Sequence, residues 1–161
     1  ASLTFLLLFS TLHTNAAPST ITRLQNMGTP DYLISAATQL VLAQRLARRN
    51  CNDCKVPDDD VTPKVLQDLG FTAELASRVK AVKGKGCAKC KDSGYKGRQG
   101  IYEILTVSKP LKEAILRQAQ TPELREIAIK EGFQTMQDMG RRLISSGELN
   151  FREYERVLSN E

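Results

Sequence analysis

The chain has 161 residues, of which 41% are hydrophobic, 25% charged and 6% aromatic, enough for one domain with a real core or two small joined units. That balance excludes a disordered tail and a membrane bundle, and describes an ordinary globular chain. The net charge of +5 invites a nucleic-acid reading, but seven of the cations lie between Lys80 and Arg98 against one acid, Asp92, beside a cysteine pair. There they offset the negative charge of a thiolate-bound metal.

The apolar run from Leu3 to Phe9, followed by small residues at Ala16 and Ala17, has the outline of a signal-peptide core and cleavage site. It lacks an initiator Met and a basic n-region, and it is too short to span a bilayer. The run fits a strand over Phe5–Leu12 buried on both faces of an α/β sheet, which makes the chain a piece of something longer. Open α/β sheets bind ligands at the carboxyl ends of their strands. Thr11, His13, Thr14 and Asn15 would then face a nucleotide's phosphates, although a single histidine at a strand end, taken alone, is more often a hydrogen-bonded bystander than a catalytic group.

A short helix is predicted over Pro18–Met27, closed by Gly28 as its left-handed residue. Thr29-Pro30 starts a second helix running to about Arg49, with Leu33, Ala37, Leu40 and Gln44 on one stripe. Its last turn carries Arg45, Arg48 and Arg49, which suit the negative end of a helix dipole. Thr62-Pro63 and Gly70 bound a further helix, and another runs over Thr72–Val79. Residues 92–97 have turn chemistry, and Ile101–Val107 reads as a strand. Helix starts follow at Pro110, at Thr121-Pro122, at Thr135 with Asp138 as a capping box, and at Asn150 with Glu153; Gly132 and Gly147 mark stops.

Cys51 and Cys54, and Cys87 and Cys90, form two C-x-x-C pairs that use every cysteine in the chain. Two residues between ligands let a tight turn present both sulfurs to one ion, and two such turns complete a closed tetrahedron. Four thiolates favour zinc in a structural site with no open position. Two disulfides, or a thioredoxin-like redox pair, are the alternatives, and neither a secretory signal nor a βαβ redox context supports them. The gap from Cys54 to Cys87 exceeds the common spacing of roughly 15–20 residues, and the small helical insert accounts for the excess. Arg45 and Arg98 read either as surface charges near the metal or as contacts to nucleotide or a neighbouring subunit.

Taken in order, several segments resemble the type II secretion and type IV pilus assembly ATPases. Phe9-Ser-Thr-Leu-His-Thr-Asn15 is similar to that family's histidine box, and residues 42–49 to its A-Q-R-L segment. Cys87 to Cys90 with residues 94–98 resembles its second cysteine knuckle, residues 100–105 its following strand, and Gly132 to Gly147 its C-terminal signature. The tetracysteine insert points to the assembly and secretion members, since the retraction motors lack it. The histidine box departs from the family at Phe5, Leu6 and Ala16, where T-G-H and H-T-N-D-A are usual.

The resemblance implies an α/β, mostly helical chain: the C-terminal piece of a RecA-like ATPase domain over 1–50, a four-cysteine zinc subdomain over 51–94, and a strand with a helical C-terminal subdomain over 95–161. It further implies a homo-hexamer at the cytoplasmic face of the inner membrane that uses ATP and Mg²⁺, acts on a membrane platform protein, and has His13 as a phosphate sensor. The sequence contains no G-x-x-x-x-G-K-[ST] loop, so ATP hydrolysis by this chain alone is not expected. Two other readings stand beside it. A stand-alone zinc module would grip nucleic acid or protein through its Lys/Arg cluster, with steep salt dependence for nucleic acid. A degenerate fragment would be poorly soluble through an exposed Phe5–Phe9 strand.

Overall fold

The computed structural model describes residues 7–12, 14 and 16–159. Helices and strands are mixed along it: α1 (Ala17–Asn26), α2 (Asp31–Ala37), β1 (Leu40–Asn50), β2 (Lys55–Pro57), α3 (Pro63–Asp68), α4 (Ala73–Arg78), β3 (Val82–Gly84), β4 (Tyr95–Thr106), α5 (Lys109–Leu116), α6 (Thr121–Lys130), α7 (Met136–Ser145) and α8 (Phe151–Leu158). β1 pairs with β4, and β2 pairs antiparallel with β3 in the register Lys55 with Gly84, Val56 with Lys83 and Pro57 with Val82. Among the described residues no helix is long and apolar enough to cross a membrane.

The residues fall into two compact units, Ala1–Ala43 with Tyr102–Gln134, and Gln44–Ile101 with Thr135–Glu161. In the first, α2 packs on α5 and α6 packs on both α1 and α5. Its core holds Ile21, Ile34, Leu105, Leu111, Ile115 and Leu124, each at most 2% exposed. Ala16, at the N-cap of α1, provides no side-chain cap, and the buried Glu103 carboxylate instead accepts from the Ala17 N–H. The second unit buries Leu66, Ala76, Ile101, Met136, Ile144, Leu149 and Leu158.

Most predicted boundaries hold because they rest on local chemistry. Thr62, Thr72, Ser108, Thr135 and Asn150 each accept a backbone N–H at the start of their helix, and Thr135 with Asp138 closes a capping box. Gly28, Gly70, Gly132 and Gly147 all have positive φ.

Two predicted elements fail. Leu7–Leu12 form no strand: Leu7, Leu8 and Phe9 are 79%, 62% and 86% exposed, and Phe5 and Leu6 lie outside the described residues. A strand buried on both faces needs hydrogen-bonding neighbours, and neither sheet among the described residues supplies an edge to this segment. The helix predicted over Thr29–Arg49 ends at Ala37, and from Leu40 the chain is strand. Leu40 and Gln44, on the predicted inner stripe, are exposed, while Val41, Ala43, Ala47 and Asn50 are buried. A run that reads Leu, Val, Leu, Ala satisfies both periods, and pairing with β4 decides between them. Arg45, Arg48 and Arg49 therefore sit on a strand and cap no helix. β4 also begins at Tyr95, six residues before the predicted strand.

Candidate metal centre

β1 delivers Cys51 at its end, and a single 3-10 turn over Asn52–Cys54 brings Cys54 round to the same side. The β2–β3 hairpin returns the chain from the helical insert, and a second 3-10 turn, Ala88–Cys90, presents the other pair. Lys91 and Asp92 adopt left-handed φ of 52° and 59° so that the chain can reverse into β4. The chain on either side of the second knuckle closes so tightly that Gly84 and Gly94 meet backbone to backbone. A Cβ on Gly84 would lie 1.9 Å from the Gly94 carbonyl oxygen.

All four sulfurs lie within 4.8 Å of one another. Cys51 and Cys87 are 3.9 Å apart, Cys54 and Cys90 3.9 Å, and Cys87 and Cys90 3.7 Å. A tetrahedral ion with metal–sulfur bonds of about 2.3 Å places its ligands about 3.8 Å apart. The spacing fits that cage and is far beyond the roughly 2 Å of a disulfide; all four are free cysteines.

Backbone amides point at two of the sulfurs. Cys54 Sγ accepts the Gly86 N–H at 3.3 Å, and Cys90 Sγ accepts those of Cys87 at 3.2 Å and Gly94 at 3.3 Å. Without a metal, burial pushes the Cys54 thiol up to about 12. At Cys90 burial pushes the same way, but the Cys87 and Gly94 amides outweigh it and hold that thiol at about 7. A metal removes the conflict by displacing the protons.

Three of the seven cations in the basic run beside the centre pair with acids that sequence distance concealed. Lys83 bonds Asp58 at 2.7 Å and Asp60 at 3.1 Å, Lys89 bonds Asp53 at 2.5 Å, and Lys96 lies 3.9 Å from the same carboxylate.

Single-sequence reasoning missed the buried carboxylate nearby. Glu153 is fully buried and accepts the Arg48 backbone N–H at 2.7 Å, two guanidinium bonds from Arg48 and two from Arg156. Burial alone would raise its carboxyl, but the two arginines reverse that and hold it at about 2. Arg48 also stacks 4.1 Å over the Tyr95 ring. The partners are 105 residues apart in sequence, so no local pattern joins them.

The other predicted site residues are dispersed. Thr11 is exposed, and the Thr14 hydroxyl bonds that of Thr20 at 2.7 Å, both in the first unit; His13 and Asn15 lie outside the described residues. In the second unit, the Arg45 guanidinium donates to the Val157 carbonyl at 2.5 Å and Arg98 is exposed on β4.

Residues 1–156 match the family model described as Type II/IV secretion system protein. The chain belongs to this family. It is 40% identical to the type IV pilus assembly ATPase PilB of Myxococcus xanthus over 95% of this chain and 27% of that protein. It is 42% identical to PilB of Thermus thermophilus over 87% of this chain and 16% of that one. The type II secretion system ATPase E of Vibrio cholerae is 38% identical over 98% of this chain and 30% of its own length. The chain thus spans between about a sixth and a third of these relatives.

Proposed function

We propose that this chain is the C-terminal part of an ATPase that powers type IV pilus assembly or type II protein secretion, and that Cys51, Cys54, Cys87 and Cys90 hold one structural Zn²⁺ within it. The observation that carries this reading is a cluster of four sulfurs within 4.8 Å of one another in a chain whose relatives are named as ATPases of both systems. A closed tetrathiolate has no open position for water or substrate, so the ion braces the join between β1 and β4 and takes no part in hydrolysis.

In the whole protein, ATP and Mg²⁺ would be held by a phosphate loop outside this sequence. Residues 1–50 would complete a RecA-like core, with 51–94 the zinc subdomain and 95–161 the C-terminal one. His13 would sense the γ-phosphate beside Thr11, Thr14 and Asn15, and Arg45 and Arg98 would contact nucleotide or the next subunit of a homo-hexamer. The partner would be an inner-membrane platform protein, reached from the cytoplasmic face. The ion pairs of Lys83, Lys89 and Lys96 favour this reading over a nucleic-acid module, since they engage three of the seven cations that such a module would use.

The reading frame preceding Ala1 tests the proposal. A phosphate loop in that frame is the expected finding; a stop codon immediately upstream would overturn the ATPase reading for this chain.

A further inference from the structure

The two residues that follow and precede the cysteine knuckles meet at one side chain far along the chain. Asn50 comes immediately before Cys51 and is 1% exposed. Its amide donates to the Val82 and Gly147 carbonyls, each at 3.2 Å, so its oxygen points the other way and accepts from Asn150 Nδ2 at 2.9 Å. Its backbone N–H donates to Glu148 O at 2.8 Å. Tyr95 comes immediately after Gly94, whose N–H donates to Cys90 Sγ and whose carbonyl accepts the Cys51 N–H at 2.9 Å. The Tyr95 hydroxyl accepts from the same Asn150 Nδ2 at 3.0 Å.

Asn150 is itself 4% exposed, and its side-chain oxygen accepts the Glu153 N–H at 2.8 Å as the N-cap of α8. Both amide hydrogens and the oxygen are therefore committed. The cap fixes which end of the amide faces inward, and the two carbonyls on Asn50 fix its orientation in turn. Every polar atom of the bridge is used, and neither amide can flip without burying an unpaired group.

We propose that Asn150 is a positioning residue for the metal centre: by bonding Asn50 and Tyr95 together it sets the distance between the two cysteine knuckles, and it thereby links metal loading to the capping of α8. This rests on the zinc reading. Outer hydrogen bonds that orient metal ligands typically contribute 10–100-fold in affinity. The linkage is reciprocal, so metal binding must in turn protect α8.

Asn150→Asp keeps the cap and breaks the Asn50 arm of the bridge, while the Tyr95 hydroxyl, 3.4 Å from the Asn150 side-chain oxygen, can still donate to it. Aspartate caps a helix as well as asparagine does, but it cannot donate, and its second oxygen would face Asn50 Oδ1 across the 2.9 Å now spanned by a hydrogen bond. Tyr95→Phe removes only the other arm and keeps the ring under Arg48. Thr135→Ala deletes an unrelated cap in the same unit and reports what lost stability alone does to affinity.

Zinc affinity of the 161-residue chain, measured by competition with a chromogenic chelator, should fall about 10-fold or more for Asn150→Asp, with helix content by circular dichroism kept. Tyr95→Phe should fall by a smaller factor, and the loss for Asn150→Asp should exceed that for Thr135→Ala. Hydrogen exchange of α8 amides should slow on zinc loading in the wild type and respond less in Asn150→Asp. Asn150→Asp affinity equal to that of Thr135→Ala, or an α8 exchange rate indifferent to zinc, would overturn the linkage and leave the zinc site standing. A wild-type chain that binds no zinc would remove both.

Discussion

Glu153→Gln is the sharpest perturbation of the second unit, because it changes one charge at constant volume. The wild-type carboxylate is wholly buried and accepts five hydrogen bonds from Arg48 and Arg156. Holding it at about 2 when its ordinary value is 4.5 corresponds to about 3 kcal/mol in favour of the folded, charged form. Glutamine keeps one acceptor oxygen but turns an NH₂ group toward a guanidinium. Breaking a buried ion pair can cost about 3–5 kcal/mol, but the Arg48 and Arg156 side chains are 52% and 53% exposed and can turn to water. The expected loss is therefore about 2–3 kcal/mol at pH 7, read by urea denaturation of the zinc-loaded chain.

The sign with pH follows from the direction of the shift. A carboxyl whose folded value is depressed stabilises the fold above its unfolded value and loses that contribution as pH falls through the folded one, here between 4.5 and about 2. Because acid also releases the zinc, the pH comparison is made on the metal-free chain at both ends, where the difference between wild type and Glu153→Gln should shrink by at least half between pH 7 and about pH 3. A difference at pH 7 below about 0.5 kcal/mol, or one that does not change with pH, would refute the reasoning.

Three further outcomes follow from the geometry. Gly84→Ala puts a methyl group 1.9 Å from the Gly94 carbonyl oxygen, so the chain flanking the second knuckle must open, Cys87 and Cys90 shift, and zinc affinity should fall about 10-fold or more in chelator competition. Zinc uptake at pH 7 should release protons, measurable in weakly buffered solution, because burial keeps the free Cys54 thiol protonated; affinity should fall as pH is lowered. Thr72→Ala removes the exposed cap of α4 and should cost about 1 kcal/mol in urea denaturation without changing zinc affinity.

What the sequence revealed and what it hid divide along the range of the interactions. The caps at Thr62, Thr72, Thr135 and Asn150 were legible because a cap and its amide lie within three residues of each other. The four cysteines were legible because C-x-x-C is a local device whose chemistry dictates its partner, whatever the gap between the pairs. Residues 40–50 were misread as helix because their apolar residues suit both periods, and the deciding partner, β4, begins 45 residues later at Tyr95. The β2–β3 hairpin was missed for a related reason: each strand has three residues, too few to show alternation, and each is defined by the other across the helical insert.

The site's support was the least legible part. Asn150 was visible as a helix cap, but its bonds to Asn50 and Tyr95 span 100 and 55 residues. Glu153 was visible only as the third residue of the last helix, and its burial depends on Arg48 arriving from β1. The excess of cations between Lys80 and Arg98 was read as answering thiolate charge, whereas Lys83, Lys89 and Lys96 pair with Asp53, Asp58 and Asp60, carboxylates outside that run. Family resemblance supplied what no local pattern could, and the match over residues 1–156 bears it out.

The central claim is that four cysteines hold one structural zinc in a chain of this secretion family. Metal analysis of the purified chain, in the wild type and in Cys87→Ser, tests it most directly. One zinc per chain is expected in the wild type, and in the variant loss of the metal with a lower midpoint of thermal unfolding. A metal-free wild type of unchanged stability after chelation, or a Cys87→Ser variant that retains zinc, would contradict it.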